Sequence, residues 1–307
     1  MDSGYAHPGY AESLAGGTAV VRLPHSGATL LARPVPGGGT DLAGPYPMLF
    51  AQDLDALGAD LAGLAGGDPA PVSAVFVLNP FADAPETTLP GLDLLRPLKT
   101  HFLADPAFSW EDAASKHHRW ETRQAHKVLE VTEIPDPASR ADVFWALYSH
   151  LIDKRAIEGV ATLSPAIIAR HLALPGARLF EARSTATGET LGAAIWFEMG
   201  EVAYLHLQAQ SPEGYSQRAG YALYAAAFEA FRGRVRWLDW GGAAGTVEDP
   251  SDGLYRFKKG WASATRQTWI CGKILDPARY DALTQAHGAT GSAFFPAYRS
   301  PRDAAAR

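Results

Sequence analysis

The sequence predicts a mixed α/β protein built from two domains, residues 1–136 and 137–307. Short apolar runs typical of strands alternate along the whole chain with longer amphipathic runs typical of helices. Asp136-Pro137 provides a natural break near the middle, and 307 residues is a normal length for two domains. We find no short-period repeat, so two α/β halves of comparable size, each a mixed, mostly antiparallel sheet flanked by helices, are the simplest expectation.

The first half contains the sparser set of elements. Residues 18–23 and 28–35 read as two strands joined by a Pro-His-Ser-Gly turn, which is a hairpin pattern. Residues 51–66 read as a helix because four leucines recur at helical spacing before Gly66-Gly67. The remaining predictions are a loop at 34–47, a buried strand at 71–81, a charged helix at 112–127 and a strand at 128–134.

The second half is denser and its pattern is clearer. Two helices are predicted first, at 140–156 and at 164–174, the latter opening on Ser164-Pro165. The elements that follow are predicted as strands at 177–183, 191–198 and 202–210, a helix at 215–233, strands at 235–242 and 264–274, and a short helix at 276–284.

Composition excludes several classes of protein. A content of 47% hydrophobic and 20% charged residues is that of a globular protein, and no apolar run reaches the roughly 20 residues of a membrane span. The single cysteine, Cys271, rules out an intrachain disulfide and a cysteine-based zinc site. The first twenty residues lack Lys and Arg and do not resemble a secretory signal, so we expect a cytoplasmic protein.

The net charge of -6 argues against non-specific binding of nucleic acid. Basic residues nevertheless cluster locally, as in the segment LYRFKKGW, Leu254 to Trp261. Such a cluster is either a solvated face or a cationic pocket for one anionic ligand.

A strand-to-helix turn carries the most informative motif of the chain. Gln217 to Ala222 reads Q-x-x-G-x-A and stands between the predicted strand 202–210 and an alanine-rich helix. A helix N-terminus presents unpaired N–H groups, and a glycine lets the backbone approach an anion closely. The alternative is an ordinary helix start without a ligand.

This arrangement resembles the GNAT acyltransferases, in which Q/R-x-x-G-x-G/A holds the pyrophosphate of an acyl-CoA. The segment LYRFKKGW and the preceding Asp239-Trp240-Gly241-Gly242 are more similar to the FemABX-type branch, which contains peptidoglycan-bridge and related aminoacyl or acyl transferases. The charged helix 112–127 also resembles that branch. The likeness extends from Thr40 to Tyr280 and is more specific in the second half.

The resemblance implies a set of site residues. It implies donor binding by Gln217, Arg218, Gly220 and Ala222, with Tyr255 near the leaving group and Lys258 at the tetrahedral oxyanion or the donor phosphates. It further implies substrate contacts at Tyr46, in a loop similar to the N-terminal substrate loop of the FemABX branch, and at Asp239. Lys259, adjacent on the same helix, should point elsewhere and stay solvated.

The predicted strand 202–210 supplies the remaining candidates. By the period of two, Tyr204, His206, Gln208 and Gln210 should share one face, which is unusual for a central strand unless that face lines a cleft. His206, with a reference pKa near 6.5, is then the candidate base, and Tyr204 and Gln208 are candidate substrate contacts. The alternative is a structural histidine with both nitrogens satisfied.

Three functions follow as alternatives. The first is N-acyl transfer from acyl-CoA to a primary amine of a small molecule or peptide. The second is a FemABX-type transfer from aminoacyl-tRNA to an amine of a peptide or cell-wall precursor; the acidic balance and the lack of room for long inserted helices place it second. The third is a ligand-binding protein without turnover. We find no spacing of His, Cys, Asp and Glu typical of a metal site.

Overall fold

A computed structural model describes residues 3–83, 85–155, 162–243, 245 and 248–301. They divide into two compact units. Unit 1 comprises residues 1–13 and 99–267, and unit 2 comprises residues 14–98 and 268–307. The predicted boundary at 136/137 does not coincide with these units. Elements that precede residue 137 pack within unit 1 together with elements of the second half.

The strands are, in chain order, β1 (Val20–Arg22), β2 (Thr29–Pro34), β3 (Thr40–Ala43), β4 (Ser73–Leu78), β5 (Leu94–Ala104), β6 (Leu129–Ile134), β7 (Ala177–Ser184), β8 (Thr190–Met199), β9 (Val202–Gln210), β10 (Trp237–Asp239) and β11 (Ala264–Ile274). The α-helices are α1 (Pro8–Leu14), α2 (Leu54–Ala65), α3 (Pro85–Thr88), α4 (Trp110–Ala113), α5 (Lys116–Ala125), α6 (Ala141–Arg155), α7 (Pro165–Leu172), α8 (Pro212–Ser216), α9 (Ala219–Phe231), α10 (Gly253–Lys259) and α11 (Pro277–His287). Short 3-10 helices lie at Gly4–Ala6, Pro137–Arg140 and Ala297–Arg299.

Unit 1 is a sheet in the order β5-β10-β9-β8-β7-β6. All its neighbours are antiparallel except β9 and β10, which run parallel with Tyr204 opposite Asp239 as the last pair. Because β9 continues to Gln210, its last six residues have no pairing with β10. The carboxyl end of β9 therefore extends beyond that of β10, and the carboxyl ends of strands are where open α/β sheets commonly bind ligands.

The core of unit 1 lies between this sheet and α9. The alanine-rich face of α9 lets the helix pack closely, and large aromatic residues fill the remaining space; the fully buried ones are Phe102, Trp196, Tyr224, Phe228, Phe231, Trp240 and Trp261. Trp240 and Tyr224 stack with ring centroids 4.0 Å apart. Trp196, Phe228 and Trp261, together with Phe257 of α10, pack around this pair. The core therefore fixes α9, α10 and the end of β10 relative to one another.

Unit 2 is a smaller sheet in the order β1-β2-β3-β4-β11. It too is antiparallel apart from one parallel pair, β3 with β4. The expectation of two α/β units, each a mixed and mostly antiparallel sheet flanked by helices, is confirmed.

Most predicted elements are present, including the hairpin of β1 and β2 and the helix α2 capped by Asp53. Others differ. The predicted loop 34–47 contains β3, and neither α1 nor β5 was predicted. The predicted strand 235–242 is shortened to Trp237–Asp239, and the predicted helix 215–233 is broken after Ser216, because Arg218 takes the left-handed conformation with φ 66°. Pro97 within β5 masks its alternation of side chains, since proline inside a strand pattern argues against a strand.

Among the residues that the structure describes, no helix is both long enough and apolar enough to cross a membrane.

Candidate active site

The segment Asp239-Trp240-Gly241-Gly242 forms a tight turn at the carboxyl end of β10. The Asp239 carboxylate accepts a hydrogen bond from the Gly241 N–H over 2.7 Å, and Gly241 has φ +74°, which favours glycine. A Cβ on Gly242 would meet the Lys99 side chain at 3.1 Å. Both glycines of the motif are thus required by the turn and by what packs against it.

Two lysines converge on this turn from different elements. Lys258 of α10 donates a hydrogen bond from Nζ to the carbonyl oxygen of Gly242 over 2.6 Å, and Lys99 of β5 donates to the carbonyl oxygen of Ala243 over 3.1 Å. The expected divergence of the two adjacent lysines is seen, because Lys259 is exposed to solvent. The chain therefore concentrates two cations at consecutive carbonyl groups.

The electrostatics of this pair are unusual for surface lysines. Desolvation lowers the pKa of Lys258 to about 8; the Asp239 carboxylate raises it and the Lys99 ammonium lowers it further. Desolvation also lowers the pKa of Lys99, against the opposing effect of Glu248. An anion or a developing negative charge beside these ammonium groups would offset their loss of hydration.

His101 of β5 completes the arrangement. Its Nδ1 lies 2.8 Å and 3.0 Å from the two carboxylate oxygens of Asp239, and its side chain is only 11% exposed. Sequence reasoning missed both His101 and Lys99, because β5 was not recognised. The alternation of Lys99, His101 and Leu103 with Thr100 and Phe102 was the available signal.

The glycine of LYRFKKGW is explained by its contact with α5. His118 uses both ring nitrogens: Nε2 donates to the Phe257 carbonyl over 2.9 Å, and Nδ1 lies 2.8 Å from Ser115 Oγ. Its ring lies directly over Gly260, so that a Cβ there would overlap the imidazole. Trp261 follows as a fully buried core residue. The aromatic and glycine positions of the segment therefore fix α10, and α10 in turn places Lys258.

Two tyrosines proposed for the site take different positions. Tyr255 packs edge-on against Phe102, with ring centroids 5.0 Å apart, on the same helix as Lys258. Tyr204 is 4% exposed and lies opposite Asp239 in the sheet register, and burial followed by the Asp239 charge raises its pKa well above the usual value. Tyr204 is therefore a buried residue of the sheet in register with Asp239.

The expectation that one face of β9 carries all four polar residues is wrong. The pairing with β8 shifts at His206, since Trp196 lies opposite Leu205 and Ile195 opposite Leu207. A bulge of this kind inserts one residue and interrupts the alternation. Gln208 and Gln210 consequently face the start of α9, whereas Tyr204 and His206 contact Tyr5.

His206 lies in a hydrogen-bonded chain of buried groups. Its Nδ1 lies 3.1 Å from Tyr5 Oη, its Nε2 lies 2.9 Å from His171 Nδ1, and its ring stacks on Phe197. The chain ends where His171 Nε2 meets Ser13 Oγ at 2.8 Å. Burial, with a smaller contribution from His171, lowers the pKa of His206 well below its usual value. Both ring nitrogens are occupied, which is the arrangement of a structural histidine.

The start of α9 is already filled by side chains of this protein. The Gly220 N–H donates to Gln210 Oε1 over 2.8 Å, and a Cβ on Gly220 would meet Gln208 Nε2 at 2.9 Å. Arg218 pairs with Glu121 of α5 and lies 5.5 Å above the Trp120 ring. The glycine of the Q-x-x-G-x-A motif therefore serves the close approach of two glutamine amides.

The two other residues of that motif also have contacts within the chain. Gln217 donates from Nε2 to Glu213 over 2.6 Å, and Ala222 is fully buried in the core. Tyr46 lies in unit 2, in the loop after β3, with 43% of its surface exposed. Cys271 is buried on β11, as expected of a core thiol, and burial raises its pKa to about 12.

No cluster of His, Cys, Asp and Glu able to hold a metal ion occurs within the described residues. The centre that unit 1 presents consists of two lysines, a carboxylate and a histidine around one turn. This set can stabilise an anion, hold a carboxylate in place and accept a proton.

Comparison by sequence identifies no relative: no family model matches the chain, and no curated protein matches it. Comparison by structure is more informative. FemX superposes with a TM-score of 0.67 at 14% identity, over 90% of this chain and 93% of FemX. The C-terminal domain of a putative lysylphosphatidylglycerol synthetase from Agrobacterium fabrum superposes with a TM-score of 0.63 at 16% identity, over 94% and 91% of the two chains.

A third structure, L-PGS from Bacillus licheniformis, gives a TM-score of 0.57 at 13% identity over 87% of this chain and 91% of that one. Identities this low establish the fold and leave the reaction open. The expected resemblance is confirmed at that level: the chain has a FemABX/GNAT-like fold.

Proposed function

We propose that the protein is an amide-forming transferase that moves an acyl or aminoacyl group to a primary amine at the turn of Asp239 to Gly242. The observation that carries the proposal is the convergence of the Lys258 and Lys99 ammonium groups on the carbonyls of Gly242 and Ala243. Two partly desolvated cations beside a single turn create a local positive potential, and the tetrahedral intermediate of acyl transfer carries the negative charge that matches it.

Lys258 is the group assigned to the oxyanion. Its ammonium is anchored by the 2.6 Å hydrogen bond to Gly242 and by the fixed helix α10, so it requires little reorganisation when charge develops. Lys99 reinforces the positive potential from the neighbouring strand. Such a preorganised donor in a water-poor site contributes on the order of 3 kcal/mol to transition-state stabilisation.

We propose an aminoacyl ester of tRNA as the donor, ahead of acyl-CoA. A diphosphate at the start of α9 would need the Gly220 N–H, which Gln210 already occupies, and it would approach the Glu121 carboxylate paired with Arg218. Both features disfavour a CoA diphosphate there. The exposed Trp120, with Lys116, Arg123 and Lys127 on or next to α5, offers instead the stacking surface and positive charge that favour nucleic acid.

One structural relative is named as a putative lysylphosphatidylglycerol synthetase, which favours an aminoacyl group as the one transferred. Acyl-CoA remains the second donor, favoured by the Q-x-x-G-x-A string itself.

The experiment supplies both donors to the same protein. Purified protein is incubated with bulk aminoacyl-tRNA or with a panel of acyl-CoAs, and hydroxylamine and a lysine-containing peptide serve as surrogate amines. Mass spectrometry then measures the hydroxamate or amide formed in excess of a protein-free control. Product from aminoacyl-tRNA supports the proposal, and product from acyl-CoA alone reverses the order of donors. No product from either donor favours the non-catalytic alternative.

A further inference from the structure

We infer that His101 is the general base of this site, with Asp239 as its positioning residue. The inference rests on the proposed function, because it concerns the proton that an attacking amine must lose. It replaces His206, which the sequence alone favoured for this role.

Asp239 fixes the tautomer of the His101 imidazole. A carboxylate only accepts hydrogen bonds, so Nδ1 of His101, which lies 2.8 Å and 3.0 Å from its oxygens, carries the proton. Nε2 is then an unprotonated lone pair. Asp239 is itself held by the Gly241 N–H at 2.7 Å, so the imidazole cannot rotate without breaking two contacts. An imidazole oriented in this way by a carboxylate is the arrangement that general-base histidines use.

The other buried histidines of the described residues differ from His101 in their hydrogen bonds. His118 uses both ring nitrogens, on Ser115 and on the Phe257 carbonyl. His171 also uses both, on Ser13 and His206. In His101 only Nδ1 has a hydrogen-bond partner within the described residues. Nε2 of His101 is thus the ring nitrogen of these histidines that is left available to a substrate amine.

Asp239 also places the proposed base next to the proposed anion site. Asp239 links the base to the anion site, since its carboxylate bonds His101 and its charge raises the pKa of Lys258. The turn that begins at Asp239 also provides the carbonyl that holds Lys258. One turn therefore connects a proton acceptor with an oxyanion stabiliser, which are the two functions that amine attack on an ester requires.

The chemical step is balanced without a co-reactant. The amine nitrogen attacks the carbonyl carbon of the donor ester and forms a C–N bond. Its proton passes to Nε2 of His101, while Lys258 stabilises the oxyanion. Collapse of the intermediate breaks the C–O bond, and the imidazolium returns the proton to the departing hydroxyl oxygen.

Several other titratable groups lie in this region and affect the pH dependence of the reaction. They are Lys99 of β5, Asp239 of β10, Lys258 of α10, Tyr204 of β9, Glu248 and Arg266 of β11. Lys258 must stay protonated as the oxyanion donor, so kcat/KM is expected to fall as pH rises through about 8.

The test compares His101→Asn with wild-type protein in the aminoacyl-tRNA assay. Asparagine keeps an N–H near the position of Nδ1 and removes the base. We expect kcat/KM to fall about 100- to 1000-fold and added imidazole to restore part of the rate. The exposed His150→Asn serves as the matched control and should retain wild-type kinetics.

A variant within threefold of wild type overturns the inference and leaves the proposed function standing. A wild-type protein that forms no product with either donor overturns both. A second measurement does not depend on the folding of a variant: nitrogen-15 NMR of the wild-type histidines should show the His101 proton on Nδ1. A proton on Nε2 in the neutral state overturns the inference.

Discussion

The ammonium of Lys258 donates a hydrogen bond to the carbonyl oxygen of Gly242 over 2.6 Å. Its neighbour in sequence, Lys259, is exposed to solvent. Two adjacent lysines of one short helix thus have opposite surroundings, and this contrast provides internal controls for the candidate site.

The first prediction concerns activity. Lys258→Met should lower kcat/KM by about 100-fold, because it removes the preorganised positive charge that stabilises the oxyanion. Lys259→Met should change kcat/KM by less than about twofold. Steady-state kinetics with aminoacyl-tRNA measures both. Equal, small effects in two folded variants would remove α10 from the active site.

The second prediction concerns stability and pH. Burial lowers the pKa of Lys258 in the folded protein to about 8, from the 10.5 of an unperturbed lysine. Between these values the unfolded chain binds more protons, so the free energy of unfolding rises with pH from about 8 to 10.5. Below pH 8 the buried ammonium opposes folding. Urea midpoints of wild type and Lys258→Met should therefore differ most at about pH 7, with the variant more stable, and converge toward pH 10.5. A variant that is less stable than wild type at neutral pH would contradict the conclusion that the buried Lys258 ammonium opposes folding.

The third prediction concerns the histidine chain of unit 1. Burial lowers the pKa of His171 to about 4, below its unfolded value of 6.5. The unfolded state binds more protons between these pH values, so this contribution to stability is lost as pH falls from 6.5 to 4. His171→Gln should show a shallower loss of unfolding free energy over that interval than wild type. Equal slopes in the two proteins would mean that His171 does not titrate with folding.

The fourth prediction separates His206 from catalysis. His206→Gln should lower the melting temperature by several degrees, because the stacking on Phe197 and the hydrogen bonds to Tyr5 and His171 are disturbed. It should leave kcat/KM within about threefold of wild type. A fall of about 100-fold in this variant, with wild-type kinetics in His101→Asn, would restore His206 as the base.

The fifth prediction concerns the glycine of LYRFKKGW. Gly260→Ala should lower the free energy of unfolding by about 1–3 kcal/mol, because the added methyl group overlaps the His118 ring. Gly253→Ala, at the start of the same helix, meets nothing within 4 Å and should be neutral or slightly stabilising. Urea denaturation of both variants measures the difference. A neutral Gly260→Ala would show that His118 can move away without cost.

Local pattern alone predicted the elements of unit 1 well where one face is apolar and the element is long. β7 and β8 are examples, since burial against a single core imposes a regular period. The same method failed at β5, where a proline and two cations interrupt the pattern of a strand that pairs through its backbone. The missed strand carries Lys99 and His101, so the error in secondary structure became an error in the site.

Periodicity also misled at β9. A bulge at His206 adds one residue without changing the sequence pattern, so the expected face of Tyr204, His206 and Gln208 divides into two. Bulges arise from how the neighbouring strand packs, which a single strand's sequence does not encode.

The sequence by itself determined the α/β class, the two-unit plan and the divergence of Lys258 from Lys259, because each depends on local geometry or helical period. The tertiary structure alone decided which groups meet. It filled the start of α9 with Gln210, satisfied both nitrogens of His206, and brought His101 and Lys99 of β5 to Asp239 and Lys258. The physical reason is that these contacts join residues separated by up to about 200 positions, and their geometry is set by sheet register and core packing.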